Sequence, residues 1–321
     1  MFRNLIPLFL VGAAASSAAQ AIPTEFVHDR IYVVARAPDG WNLRFYTDSG
    51  GGWNAIGRAA VDRLKLPTRG EIQVEGGQAS LVDFPDFLRQ AGIPSPSNEP
   101  WLKGRLVVAP DAELMDADGF LGTRWFAGHV WQIDYPAQTL TAMSAWSPSV
   151  DDHPTALGFR SGPDGKRNLN FPRITISIDG NPIDALFDTG ATAELTEESA
   201  PEFRLKPGTR IGASYVIKSI FESWQTLHPN WRVIERAEAV TGRAFPMIEV
   251  PQVTIAGITF GPVWFTQRPD ATFRNQMSQM MDKQVVGAIG GSGLKYLRLV
   301  LDYPGATAYL HEVKGASGQA R

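Results

Sequence analysis

Apolar and polar positions alternate in a pattern that occurs twice along the chain. From Arg30 the run Ile31-Tyr32-Val33-Val34-Ala35 predicts a strand, Asp39-Gly40 a turn, and Asn42-Leu43-Arg44-Phe45-Tyr46-Thr47 the returning strand, which delivers Asp48 at its end. In the second half Ile174-Thr175-Ile176-Ser177-Ile178, the turn Asp179-Gly180-Asn181 and the strand Ile183 to Phe187 deliver Asp188 in the same way. After the first of these aspartates Asn54 is expected to cap a helix with an apolar side of Ile56, Ala59, Ala60, Leu64 and Leu66, closed by Pro67. The downstream pattern repeats more closely still. Asp118-Gly119-Phe120-Leu121-Gly122 aligns without a gap on Val286-Gly287-Ala288-Ile289-Gly290. The frame then carries His129 to Ile133 onto Leu297 to Leu301, and Asp134-Tyr135-Pro136 onto Asp302-Tyr303-Pro304.

This repetition divides the chain. Its 321 residues suffice for two compact units. Residues 22–148 form the first lobe, 149–170 the linker, 171–313 the second lobe, and 314–321 a frayed polar tail. The linker stretch is rich in Ser, Pro, Gly and Asp, with Gly162-Pro163-Asp164-Gly165 inside it. The second copy is longer, and the extra length is assigned to Ser214–Phe245, where Val216, Ile217, Ile220, Phe221 and Trp224 recur at helical spacing.

The ends and the composition narrow the class of protein. Met1-Phe2-Arg3-Asn4, an apolar stretch from Leu5 to Ala15 and the ending Ala19-Gln20-Ala21 have the three parts of a secretory signal peptide, cut after Ala21. Export to the periplasm or the extracellular space is the expectation, with no membrane span and a monomeric mature protein. A net charge of -3 without a Lys/Arg run excludes a nucleic-acid surface. The absence of cysteine excludes disulfides, thiol catalysis and thiolate zinc sites. His28, His129, His153, His228 and His311 never fall at metal-ligand spacing, so neither metal nor cofactor is expected.

What remains is carboxylate chemistry. Asp48-Ser49-Gly50 and Asp188-Thr189-Gly190 each combine a carboxylate, a small hydroxyl and a residue that permits a tight turn. One such tripeptide arises by chance in roughly one chain of this size in five to ten; two in matched frames are far more specific. Facing each other, the loops would form an aspartate dyad. Asp118 is replaced by Val286 in the other copy, and Asp134 and Asp302 sit at Tyr-Pro turns, so these three read as structural.

On these residues the chain resembles the pepsin and retropepsin group of aspartic proteases, as a bilobal, single-chain, secreted member of bacterial type. The shared elements are Asp-Ser/Thr-Gly at Asp48 and Asp188, and apolar-apolar-Gly at Phe120-Leu121-Gly122 and Ala288-Ile289-Gly290; the likeness spans roughly Arg30 to Leu310. The resemblance implies a mostly β fold, with two pseudo-twofold-related, barrel-like lobes and a central cleft. It implies an endopeptidase that hydrolyses a polypeptide substrate with water activated between Asp48 and Asp188. Ser49, Gly50, Thr189 and Gly190 would support the catalytic loops, and Gly122 and Gly290 would back them. A flap is placed on the hairpin pattern Ile72–Leu81, with Glu75, Gly76, Gly77 and Gln78 at its tip. The first motif departs from the family: Thr47 stands where an aliphatic residue is usual, and Gly51-Gly52 follow. That departure keeps open a second reading, a weakly active or inactive protein that binds peptides in the same cleft. A carboxylate-pair glycosidase is disfavoured, because its two acids need not lie in twin loops.

Overall fold

The computed structural model describes residues 20–74, 77–97, 102–143 and 146–311. Most of the stretch expected as a signal peptide, through residue 19, the hairpin-tip residues Glu75 and Gly76, and the tail expected to fray lie outside the described residues. The chain is mostly β, arranged in several sheets, none of them closed into a barrel. Among the described residues no helix is long and apolar enough to cross a membrane.

The repeated pattern folds into a repeated topology. In the first half the strands order as Thr24–Val27, Arg30–Arg36, Asn42–Thr47, Gly119–Leu121, Asn54–Gly57, Leu106–Ala109, Gly77–Val82 and Thr68–Val74. From Arg30–Arg36 onward the second half follows the same order, with Arg173–Ile178, Asn181–Phe187, Gly287–Ile289, Ser214–Ile217, Val263–Arg268, Arg243–Val250 and Val233–Val240. Strand directions agree as well. The strand leading to each aspartate runs parallel to its apolar-apolar-Gly strand, Phe45 opposite Gly119 in one half and Leu186 opposite Ala288 in the other. The next strand is antiparallel to that one, with Ala55 opposite Phe120 and Tyr215 opposite Ala288.

Asn54 does not cap a helix. It lies in the strand Asn54–Gly57, and the helix Arg58–Leu64 begins after Gly57. The local capping pattern loses to long-range pairing, because Asn54–Gly57 is hydrogen-bonded on both sides, to Gly119–Leu121 and to Leu106–Ala109. Val216 and Ile217 are likewise strand residues; only Ile220, Phe221 and Trp224 of that stripe fall in the helix Lys218–Leu227. The largest addition to the second half precedes Ser214: the segment Thr192–Gly212, with its own hairpin Thr192–Glu194 and Arg210–Gly212, stands where the first half has only Gly52 and Trp53.

A third sheet joins the halves. Val130–Asp134 pairs antiparallel with Arg298–Asp302, flanked by Thr139–Met143 and Thr307–His311. Gln132 faces Val300, its own counterpart in the repeat, so the ladder is centred on a pair of equivalent residues. Each hairpin turns where Asp134 or Asp302 accepts a backbone N–H, from Ala137 at 2.9 Å and from Gly305 at 2.7 Å, which is the turn role their positions imply. The stretch read as the linker contains structure of its own. His153–Ala156 adds a strand to this joining sheet, and Leu157 and Phe159 are buried. At the opposite edge Gln20–Ile22 pairs with Thr139–Met143, and Ile22 is buried.

Trp131 anchors the joining sheet. It is fully buried, its ring centroid lies 4.2 Å from that of Trp125, and its indole N–H donates to the Phe126 carbonyl at 2.8 Å. Trp131→Ala removes this packing and leaves a buried carbonyl without its donor, so a loss of about 3–5 kcal/mol is expected. Denaturant unfolding checks it: a cost under about 1 kcal/mol would mean that the sheet does not bind the halves together.

Candidate active site

Two loops meet where the halves meet, and each is locked by atoms of the other. The Ser49 amide donates to Thr189 Oγ1 at 3.1 Å, and the Thr189 amide donates to Ser49 Oγ at 2.9 Å. Each hydroxyl in turn donates across to a backbone carbonyl, Ser49 to Phe187 at 2.8 Å and Thr189 to Thr47 at 3.2 Å. Both side chains are completely buried, so these bonds are shielded from water. The exchange explains the residue type: only a short hydroxyl side chain can accept one buried N–H and donate to one buried carbonyl at this separation.

The exchange fixes the two aspartates. The carboxyl groups of Asp48 and Asp188 lie side by side at the meeting of the two loops, each against the glycine of the opposite loop. The Gly50 amide donates to Asp48 Oδ1 at 3.0 Å and the Gly190 amide to Asp188 Oδ1 at 2.9 Å. Each glycine also presses against the opposite carboxyl group, and a Cβ at Gly50 would stand 2.5 Å from Asp188 Cγ. Any side chain at either position would therefore push the pair apart. Behind the loops, the Gly122 amide donates to the Asn54 side chain at 2.8 Å and the Gly290 amide to Ser214 Oγ at 3.0 Å. The amides of Asp48 and Asp188 bond to the carbonyls of Leu121 and Ile289, both at 2.9 Å.

The departures at the first loop have physical counterparts. Thr47 is fully buried, and its hydroxyl donates to the Ile31 carbonyl at 3.1 Å, which satisfies the polar atom where Phe187 needs no partner. A Cβ at Gly51 would run into the Asp48 carboxylate, so the missing side chain makes room that Ala191 does not have to provide. Both loops keep the same turn bond, Gly51 N–H to Asp48 O at 3.1 Å and Ala191 N–H to Asp188 O at 3.3 Å.

Burial raises the Asp48 pKa above its ordinary 3.8. Burial raises Asp188 well above that value too, with the neighbouring Asp48 carboxyl adding to the rise. Two carboxylates this close cannot both ionise cheaply, so the pair shares one proton.

Asp48 opens into a cavity of about 950 Å³. Its lining includes Gly51, Gly52 and Trp53 from the loop, Phe120, and Gly77 to Ser80 from the hairpin Thr68–Val74 with Gly77–Val82. The hairpin expected over Ile72–Leu81 is thus formed, and Gly77 and Gln78 face the cavity that begins at Asp48; Glu75 and Gly76 lie outside the described residues. Among the described residues no group of three or more His, Cys, Asp or Glu side chains converges on a metal site. Asp118 accepts the Arg44 amide at 2.8 Å, and His129 packs edge-on against Trp131; neither lines the cavity.

Sequence reasoning missed Tyr46, Thr192 and Tyr215. Tyr46 Oη lies 2.6 Å from Thr192 Oγ1, a side-chain bond between the halves; Tyr215 Oη donates to the Thr192 carbonyl at 2.6 Å and accepts its amide at 2.7 Å. Tyr46 shares its strand face with Asn42 and Arg44, opposite the core residues Leu43 and Phe45, so alternation reads it as an outward position and nothing in that pattern marks it as a link.

The raised Asp188 pKa has a consequence for stability. The folded state holds this proton more tightly than the unfolded chain, so the cost of the buried pair is absent below the ordinary carboxylate range and develops as pH rises towards the folded-state pKa. Asp188→Asn is expected to raise Tm at neutral pH, with the gain disappearing as pH is lowered through the ordinary range. Calorimetry across pH checks this; an unchanged or lowered Tm at neutral pH would contradict the strained pair.

No protein-family model matches the chain, and no curated protein matches it.

Proposed function

We propose that the chain is an aspartic endopeptidase, with the bilobal, pseudo-twofold arrangement of that group and one aspartate from each lobe. The observation that carries the reading is the adjacent, buried carboxyl pair of Asp48 and Asp188, held by the reciprocal Ser49–Thr189 exchange and opening into a cavity. A topology repeated strand for strand and a joining ladder centred on Gln132 and Val300 support the symmetric arrangement.

The chemistry follows from the proton the pair shares. The ionised member of the pair takes a proton from a water held between the carboxyl groups as that water attacks a peptide carbonyl. The protonated member donates a hydrogen bond to the oxygen on which negative charge develops, and proton transfer to the leaving nitrogen completes the cleavage. The hairpin that ends in Gly77 and Gln78 covers the bound chain as a flap, and its position over the cavity supports this role. Export of the mature chain as a soluble, monomeric enzyme is part of the same proposal.

The direct test incubates the mature protein with an unfolded protein substrate at mildly acidic pH. Wild type is expected to cut, and Asp48→Asn and Asp188→Asn are each expected to lose roughly 10²–10⁴-fold in kcat. A folded wild type that binds peptides without cutting them would make the chain a binding protein. The pH profile of kcat/KM is expected to be a bell. It rises as the pair loses its first proton, above the ordinary 3.8, and falls where it loses the second, well above that value. A maximum below 3.8 would contradict the raised pair.

A further inference from the structure

The repeat makes it possible to ask what the second half places where the first half has its cavity. The strand registers give the counterparts directly. Ala55 corresponds to Tyr215, since they face Phe120 and Ala288 on equivalent strands. Ala109 corresponds to Arg268, facing Gly57 and Ile217. Ala79 corresponds to Phe245, facing Ile72 and Glu238 across equivalent hairpins. Three alanines around one cavity are thus replaced by a tyrosine, an arginine and a phenylalanine around its counterpart.

Those larger side chains pack on one another. The Arg268 guanidinium forks onto Glu238 at 2.5 and 2.8 Å, lies 3.9 Å over the Tyr215 ring centroid, and sits 5.7 Å from that of Phe245. Glu238 and Arg268 keep only 4% and 14% side-chain exposure, and Tyr215 is bound at its tip to Thr192, the counterpart of the cavity-lining Gly52. A paired buried charge is costly to move, so the block is rigid. On the first half the corresponding volume is open, at about 950 Å³, near the top of the range of ligand pockets, about 300–1,000 Å³. Arg58 and Glu113, which also line it, are exposed, while Ala55, Val107 and Val108 supply an apolar interior.

We propose that the cleft is one-sided: the Asp48 half receives a bulky apolar side chain of the substrate, and the Asp188 half, plugged by Tyr215, Phe245 and the Arg268–Glu238 pair, admits only a small one. The substrate class is therefore a polypeptide segment with a large apolar residue on one side of the cut bond and a small residue on the other. This rests on the endopeptidase reading above.

Digestion of an unbiased peptide mixture, with cut sites mapped by mass spectrometry, tests it. Wild type is expected to favour bulky apolar residues on a single side of the cut by roughly 10- to 100-fold over alanine. Ala79→Phe is expected to erase that preference, and Phe245→Ala to let larger residues in on the opposite side; a thermal melt verifies that each variant is folded, and either variant alone suffices. Cutting with bulky residues equally favoured on both sides would overturn the one-sided cleft and leave the protease reading intact. So would an unchanged profile in a folded Ala79→Phe or Phe245→Ala. If wild type cuts no peptide, both readings fall.

Discussion

Everything in this molecule that bears on chemistry depends on the buried exchange between Ser49 and Thr189. Each residue satisfies the other's amide and reaches across to a carbonyl of the other half. Removing either hydroxyl would strand a buried amide and a buried carbonyl, at a cost of about 1–3 kcal/mol for each group. That penalty keeps two carboxyl groups together that would otherwise repel. The glycines beside them complete the constraint by leaving no room for the pair to sit in any other way.

The stabilising elements stand around this strained centre. The joining sheet supplies the rigidity, with Trp125, Phe126 and Trp131 packed beneath it and the Val130–Asp134 and Arg298–Asp302 strands paired through its middle. A second tie is the turn at His28, whose carbonyl accepts the Gly212 amide at 2.7 Å, with Asp29 beside Lys295 at 3.5 Å. These contacts bring residues far apart in sequence into one frame, so the burial that raises the aspartate pKa values is enforced by the whole fold rather than by the loops alone.

Much of this was legible in the sequence because it was written twice. Asp48 and Asp188, the glycines Gly122 and Gly290 and the Asp134 and Asp302 turns stand in equal frames, and the strands before each aspartate follow alternation that a buried face demands. What escaped was set by distant partners. Asn54 carries a helix-capping signal, yet the strands on either side of it claim the segment. The stretch 149–170 has linker composition, yet His153–Ala156 within it pairs with Thr307–His311 at the sheet edge. The contrast between Ala109 and Arg268 is invisible without the register, because the residues between each of them and its aspartate differ in number and kind.

The central claim is that one proton is shared by the pair. Isotope-edited infrared spectroscopy of aspartate carboxyl groups, titrated in wild type and in Asp188→Asn, reads that proton directly. The account requires a protonated aspartate band that persists in wild type well above the ordinary carboxylate range and is missing from Asp188→Asn. Full ionisation of every aspartate of the folded wild type at the ordinary value of 3.8 would contradict it.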